Sequence, residues 1–106
     1  MVAMNQIEAF GRRIGEEFGV ERVILFGSHA RGAVGADSDV DILVIGRFEG
    51  RSVDKAVEIQ MKLRPGFPVD VLVRTPEKID ERLAMGDTFM REILAEGRVL
   101  YEANGC

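Results

Sequence analysis

The sequence predicts an α/β protein with a central mixed β-sheet flanked by helices. Apolar residues recur at steps of three or four in two stretches, which is typical of amphipathic helices. Between them lie short β-branched runs at residues 22–26, 39–45 and 69–73, which are typical of strands. Helical and strand patterns alternate along the 106 residues without a linker or a repeat. We therefore expect one domain over residues 1–106.

The first two elements are a helix and a buried strand. The helix is predicted over residues 3–18, and Gly19 ends it. Its apolar stripe consists of Ala3, Ile7, Phe10, Ile14 and Phe18. The run RVILF, residues 22–26, is apolar on both faces and predicts a central strand.

The strand predicted over residues 39–45, DVDILVI, has one apolar face and one half-polar face. Val40, Ile42 and Val44 form the first face. Asp39 and Asp41 form the second, followed by Leu43 and Ile45. The two carboxylates therefore leave the strand in the same direction.

The second half of the chain predicts a helix, a strand, two helices and a short strand. The first helix lies between Gly50 and the segment RPGFP, and VDVLV, residues 69–73, is the strand. Thr75, Pro76 and Glu77 have the form of a helix start, so a helix should run to Leu83. A further helix is predicted over residues 88–96 and an edge strand over residues 98–102.

Composition and charge exclude several classes of function. The chain is 46% hydrophobic and 30% charged, with a net charge of −4, which argues against general nucleic-acid binding. No apolar run approaches the ~20 residues that cross a bilayer, and the N-terminus lacks a secretory pattern, so we expect a cytoplasmic protein without a membrane partner. The single cysteine, Cys106, is expected to be a free thiol.

Three aspartates are candidates for metal binding. Asp39 and Asp41 have Cα atoms ~6.5 to 7 Å apart on one strand face. Asp70 interrupts an apolar strand, and it would reach the same point if that strand lies beside residues 39–45. Converging carboxylates favour a hard cation such as Mg²⁺, and three of them suit two ions in phosphoryl chemistry. A single strand aspartate can also cap a turn or pair with an arginine.

The segment GSHARG, residues 27–32, predicts a phosphate-binding turn. Gly27 allows a tight turn, and Ser28 is suited to begin a helix whose N–H groups point outward. Arg31 lies one turn further and could contact the same phosphates. The turn would hold a triphosphate while the aspartates hold its Mg²⁺.

The pattern GSHARG, then SDVDILV, then VDVLV resembles the nucleotidyltransferase superfamily typified by DNA polymerase beta, and in particular its minimal MNT members. The resemblance covers nearly the whole chain and implies the nucleotidyltransferase fold. It places Gly27 and Ser28 in the phosphate-binding turn, and Asp39, Asp41 and Asp70 as the catalytic, metal-binding carboxylates.

The resemblance also implies a partner and a reaction. MNT proteins pair with HEPN toxins and move AMP from ATP to a toxin tyrosine, which predicts ATP as substrate, two Mg²⁺ ions and a hetero-oligomer. Two alternatives stay open: a binding module that blocks its partner by occlusion, and a transferase acting on a small molecule or an RNA end.

Several other residues have simpler interpretations. His29 is expected to face solvent or the ligand rim. Lys55 and Arg64 are expected to be solvated, and Tyr101 to pack in an edge strand. Met85, Phe89 and Met90 are expected to pack in the core, or to form an apolar surface for a partner.

Overall fold

The computed structural model describes residues 3–32 and 39–103. Every element predicted from the sequence is present, with bounds that differ by one or two residues. In chain order they are α1 (Met4–Phe18), β1 (Arg22–Phe26), α2 (Ser28–Arg31), β2 (Val40–Ile45), α3 (Ser52–Leu63), β3 (Val69–Arg74), α4 (Pro76–Ala84), α5 (Thr88–Glu96) and β4 (Arg98–Glu102).

The strands form one mixed sheet in the order β3-β2-β1-β4. Strand β1 is antiparallel to both of its neighbours, whereas β2 and β3 are parallel. The parallel register runs from Val40 opposite Val69 to Ile45 opposite Arg74. The predicted mixed sheet is confirmed, and β3 and β4 are its edges within the described part of the chain.

Helices cover both faces of the sheet and create two apolar layers. Helices α1 and α3 pack on one face, and their layer includes Ile7, Phe10, Ile14, Ile59 and Leu63 together with Val40, Ile42 and Val44 of β2. Helices α4 and α5 cover the other face, where Ile79, Met90 and Ile93 meet Ile24, Leu43 and Ile45. The alternation of β2 therefore separates two cores, and Asp41 belongs to the face covered by α4 and α5.

Helix α1 lies close to β4 because glycines face that strand. A Cβ atom added to Gly11 would lie 2.6 Å from Cβ of Leu100, and one added to Gly15 would collide with the ring of Tyr101. Tyr101 packs against the α1 and α3 core, as predicted. Glycines four residues apart thus let the edge strand approach the helix.

The apolar residues near the last two helices divide between core and surface. Met90 is buried, whereas Met85 and Phe89 are 69% and 51% exposed. The core-packing prediction is therefore wrong for Met85 and Phe89, which leaves the alternative of an apolar surface for these two residues. Cys106 lies outside the described residues. No helix within the described ranges is long and apolar enough to cross a membrane.

Candidate functional site

The candidate site lies where one end of β1 meets the starts of β2 and β3. Phe26, the last residue of β1, is the register partner of Asp41. Asp41 is in turn the register partner of Asp70. Neighbouring strands lie ~4.8 Å apart, and side chains at paired positions of parallel strands leave the same face. The sheet therefore places the two carboxylates side by side.

Both carboxylates line a cavity of about 410 Å³ on the sheet face that α4 and α5 cover. Its wall consists of Phe26, Gly27, Ala30, Arg31, Asp41, Asp70, Leu72, Phe89, Glu92, Ile93, Glu96 and Gly97. Four of the six residues singled out from the sequence are thus in one cavity. Ser28 and Asp39 do not line it.

Gly27 connects β1 to α2 and touches the acidic part of the site. Its φ of 78° and ψ of −156° form a backbone conformation that favours glycine. A Cβ atom at this position would collide with Oδ2 of Asp41. The turn predicted at Gly27 therefore brings bare backbone against the Asp41 carboxylate.

Helix α2 is a single turn of four residues, and Ser28 is its first residue while Gly27 is its N-cap. The expected helix start at Ser28 is present. The cavity wall, however, is formed by Gly27 on one side of Ser28 and by Ala30 and Arg31 on the other. Arg31 supplies a positive charge beside the acidic residues.

The acidic side chains repel one another. Burial raises the pKa of the Asp41 carboxyl, and the negative charges of Asp70 and Asp39 raise it further, while His29 opposes them. Asp39 itself is exposed, immediately before β2. Its charge is therefore felt at Asp41 although its side chain does not line the cavity.

This donor set fits a hard divalent cation, since crowded carboxylates lose their mutual repulsion when they share a positive ion. The three oxygen-bearing side chains are not gathered into a finished coordination shell. Among residues 3–32 and 39–103, no group of three or more His, Cys, Asp or Glu side chains is arranged to hold a metal ion. The register places Asp41 and Asp70 side by side, and Asp39 lies outside the cavity that they line.

Helix α5 contributes site residues that the sequence interpretation missed. Phe89, Glu92, Ile93 and Glu96 all line the cavity. Phe89 also meets Phe26 edge to face, with ring centroids 5.8 Å apart. The sequence spacing could have shown that these residues share one side of the helix, because positions 89, 92, 93 and 96 follow the i, i+3, i+4, i+7 pattern.

The position predicted for His29 is wrong. The side chain is buried, with 5% exposure, rather than facing solvent. Neither Nδ1 nor Nε2 has a hydrogen-bond partner among the described residues. His29 does not line the cavity, although its charge acts on the Asp41 carboxylate.

A small mixed sheet that sets neighbouring aspartates beside a glycine turn is an arrangement expected of enzymes that transfer phosphate-containing groups. Residues 7–101 match the family described as nucleotidyltransferase domain. The chain belongs to this family and is a nucleotidyltransferase.

Two relatives support the assignment. Protein adenylyltransferase MntA from Thermococcus cleftensis is 34% identical over 101 residues, which are 89% of this chain and 96% of that protein. A protein from Methanocaldococcus jannaschii, named provisionally for the same activity, is 34% identical over 84 residues, 77% of this chain and 79% of its own length.

Solved structures share the fold. A crystal structure from Sulfolobus solfataricus, named provisionally as a nucleotidyltransferase, superimposes with a TM-score of 0.65 at 20% identity. The match covers 95% of this chain and 81% of the other. A toxin-antitoxin structure with AMP-PNP gives a TM-score of 0.55 at 20% identity, over 97% of this chain and 76% of that one.

Proposed function

We propose that this enzyme is an antitoxin that transfers AMP from ATP to a tyrosine of a HEPN ribonuclease toxin in a Mg²⁺-dependent reaction. The observation that carries the proposal is the register pairing of Asp41 with Asp70 beside Gly27 in one cavity. The relative named protein adenylyltransferase MntA, which this chain matches over almost its whole length, supports the acceptor class.

The size of the site is consistent with an acceptor delivered by another protein. The described fold consists of one sheet and its covering helices, and the cavity of about 410 Å³ is within the usual range for small-ligand sites. A nucleotide would occupy much of this space. The hydroxyl acceptor would then enter from outside on a partner; a toxin-antitoxin structure with AMP-PNP shares this fold.

The proposed reaction is an in-line displacement at phosphorus. The tyrosine hydroxyl oxygen forms a bond to the α-phosphorus of ATP, and the bond from that phosphorus to the oxygen bridging to the β-phosphate breaks. Asp70 accepts the hydroxyl proton, and pyrophosphate leaves toward Gly27, Ser28 and Arg31. The products are the tyrosine–AMP ester and pyrophosphate.

Asp39, Asp41 and Asp70 are the residues that would hold two Mg²⁺ ions. When bound, the ions supply positive charge to the phosphates and to the crowded carboxylates. Arg31 adds a positive charge to the cavity wall, where a guanidinium can bind phosphate oxygens through two hydrogen bonds.

The test is to incubate the protein with ATP, Mg²⁺ and the short helical protein encoded beside it, provided that this neighbour carries the R-x4-6-H pattern of HEPN proteins. The intact mass of the partner is then measured. We expect an increase by one or more AMP units, with loss of the increase in Asp41→Asn and in the presence of a chelator.

The matched control is Asp80→Asn, which changes an exposed aspartate on α4 outside the cavity and should leave transfer intact. Neutralisation of the partner without any change in its mass, in a stable complex that Asp41→Asn also forms, would refute catalysis and favour the binding module. AMP found only on a small molecule or an RNA end would refute the protein acceptor.

A further inference from the structure

A second and larger groove, of about 640 Å³, runs along β3 on the outer side of the sheet. Its lining comes from the start of α3, from β3, from α4 and from the start of α5. The residues are Arg51, Ser52, Val53, Ala56, Val71, Leu72, Val73, Arg74, Lys78, Arg82, Asp87, Phe89 and Met90. None of the candidate catalytic residues belongs to it.

The groove exposes the backbone edge of β3. Residues 71–74 are consecutive and all line it, although side chains on a strand alternate between the two faces. Four consecutive residues can all line one groove only where the groove follows the backbone edge of the strand. Strand β3 ends the sheet order within the described chain, so its outer backbone groups face the groove. The outer carbonyl of Val73 accepts a hydrogen bond of 2.7 Å from Nη1 of Arg74, and a pairing segment would displace that side chain.

The groove is basic in a protein whose net charge is −4. Its charged residues are Arg51, Arg74, Lys78 and Arg82 against the single acid Asp87. Asp87 is already paired with Arg82, at 2.9 Å between its Oδ2 and Nε of the arginine. The other three cations, Arg51, Arg74 and Lys78, have no acidic partner among the residues that line the groove.

Two of the three cations are held only by exposed ion pairs, whereas Arg74 donates a hydrogen bond to the carbonyl of Val73. Arg51 forms an ion pair with Asp54, and both side chains are mostly exposed. Lys78 forms an ion pair with Glu81, and both side chains are about half exposed. Solvent-exposed pairs of this kind are weak, because water screens them. A ligand carboxylate can replace either partner at little cost.

Apolar surface joins the groove to the active-site cavity. Val53 and Phe89 line the groove and are 59% and 51% exposed. Phe89 and Leu72 also line the catalytic cavity. An occupant of the groove would therefore lie next to the reacting groups.

We propose that this groove binds an extended acidic segment of the acceptor protein, which pairs with the open edge of β3 and thereby delivers the acceptor hydroxyl to the neighbouring cavity. This inference rests on the proposed function for the identity of the partner. The strand edge can form main-chain hydrogen bonds only with a polypeptide. The cations favour acidic side chains on that polypeptide, and Val53 and Phe89 favour apolar residues that alternate with the acidic ones.

The observations disfavour two other occupants. A second copy of this chain, paired edge to edge through β3, would place the same cations against one another. A nucleic acid would satisfy the cations, but it has no backbone that matches the hydrogen-bonding spacing of a strand edge. The acidic peptide satisfies both features.

The first test uses a fluorescent, terminally blocked seven-residue peptide that alternates glutamate with valine, and measures its binding by anisotropy without ATP. We expect binding that weakens about tenfold when lysine replaces glutamate, or in the double variant Arg74→Glu and Lys78→Glu. A proline at the centre of the peptide should also abolish binding, because it removes a strand hydrogen bond. The matched control is Arg64→Glu, an exposed charge outside the groove.

The second test separates docking from chemistry. With the toxin partner, the double groove variant should raise KM about tenfold with kcat unchanged, whereas Asp41→Asn should lose transfer and keep peptide binding. The docking proposal is overturned if neither glutamate charge nor the proline alters binding, or if single-stranded RNA binds the groove more tightly than the peptide. A dimer in sedimentation that the groove variant dissolves would also overturn it. Loss of transfer alone would refute only the proposed function.

Discussion

Replacing Gly27 by alanine tests whether close backbone approach to Asp41 matters for catalysis. The added Cβ would collide with Oδ2 of Asp41 and would lie 3.2 Å from its Cγ. The main chain of Gly27 is part of a tight turn, and the main chain of Asp41 is part of a central strand. The clash would therefore be relieved by rotation of the Asp41 side chain. We expect that carboxylate to move by about 1 Å, a displacement that can cost about 100-fold in rate.

The same substitution also strains the backbone, since φ at Gly27 is 78°. With ψ at −156° this conformation is essentially restricted to glycine, and a residue with a side chain there is strained by about 1 to 3 kcal/mol. A loss of stability alone would therefore not show that the contact with Asp41 is functional. The control must be a glycine-to-alanine substitution at another residue with positive φ, where the added Cβ does not collide with a neighbouring atom.

Gly50 supplies that control. Its φ is 86°, and an added Cβ meets no atom within 4 Å. Gly50→Ala should also lower the free energy of unfolding in a urea titration, because of its positive φ, while AMP transfer stays near the wild-type rate. Gly27→Ala should lose about 100-fold in kcat at a temperature where both variants are folded. Equal activities of the two variants would refute the reasoning.

Three further predictions concern stability. Leu43→Ala removes a fully buried side chain from the α4 and α5 core and should cost about 2 to 5 kcal/mol in urea unfolding. The backbone N–H of Met90 and the Arg82 side chain lower the pKa of Asp87 below its ordinary 3.8, so its stabilisation is complete above that pH and lost as the pH falls through the folded-state pKa. Asp87→Asn should accordingly flatten the acid side of the stability profile, and an unchanged profile would contradict this. Asp41→Asn should raise the melting temperature in metal-free neutral buffer, because the raised pKa of Asp41 means that its charged form destabilises the fold. That gain should vanish once the pH falls below 3.8, where the carboxyl is protonated in both states.

The secondary structure and the neighbouring aspartates could be predicted because their signals are local. The apolar stripe from Ile7 to Phe18 is a helix, and the alternation over residues 39–45 appears as the two differently covered faces of β2. The meeting of Asp41 with Asp70 depended on one assumption, that their strands are neighbours. The parallel register confirms it.

The missed features depend on how elements pack in three dimensions. Periodicity identified a helix over residues 88–96 but not its position over the candidate cavity, whose wall includes Phe89, Glu92 and Glu96. His29 was placed wrongly because a single helical turn has no periodic pattern that distinguishes its buried side. The single-domain assignment, the metal ligands and the roles of the individual acids stay predictions.

The apolar core and the acidic site depend on each other through the register of β2 and β3. Aspartate is a poor strand residue, and like charges at paired positions destabilise a sheet. If β3 paired with β2 one residue out of register, Asp70 would no longer lie beside Asp41. The Asp70 side chain would then point into the core, on the face where Val71 and Val73 now pack. Burial of an unpaired charge costs far more than repulsion at the sheet edge. The hydrophobic alternation of β3 therefore forces the two carboxylates together, and the repulsion that remains is what a shared cation would relieve.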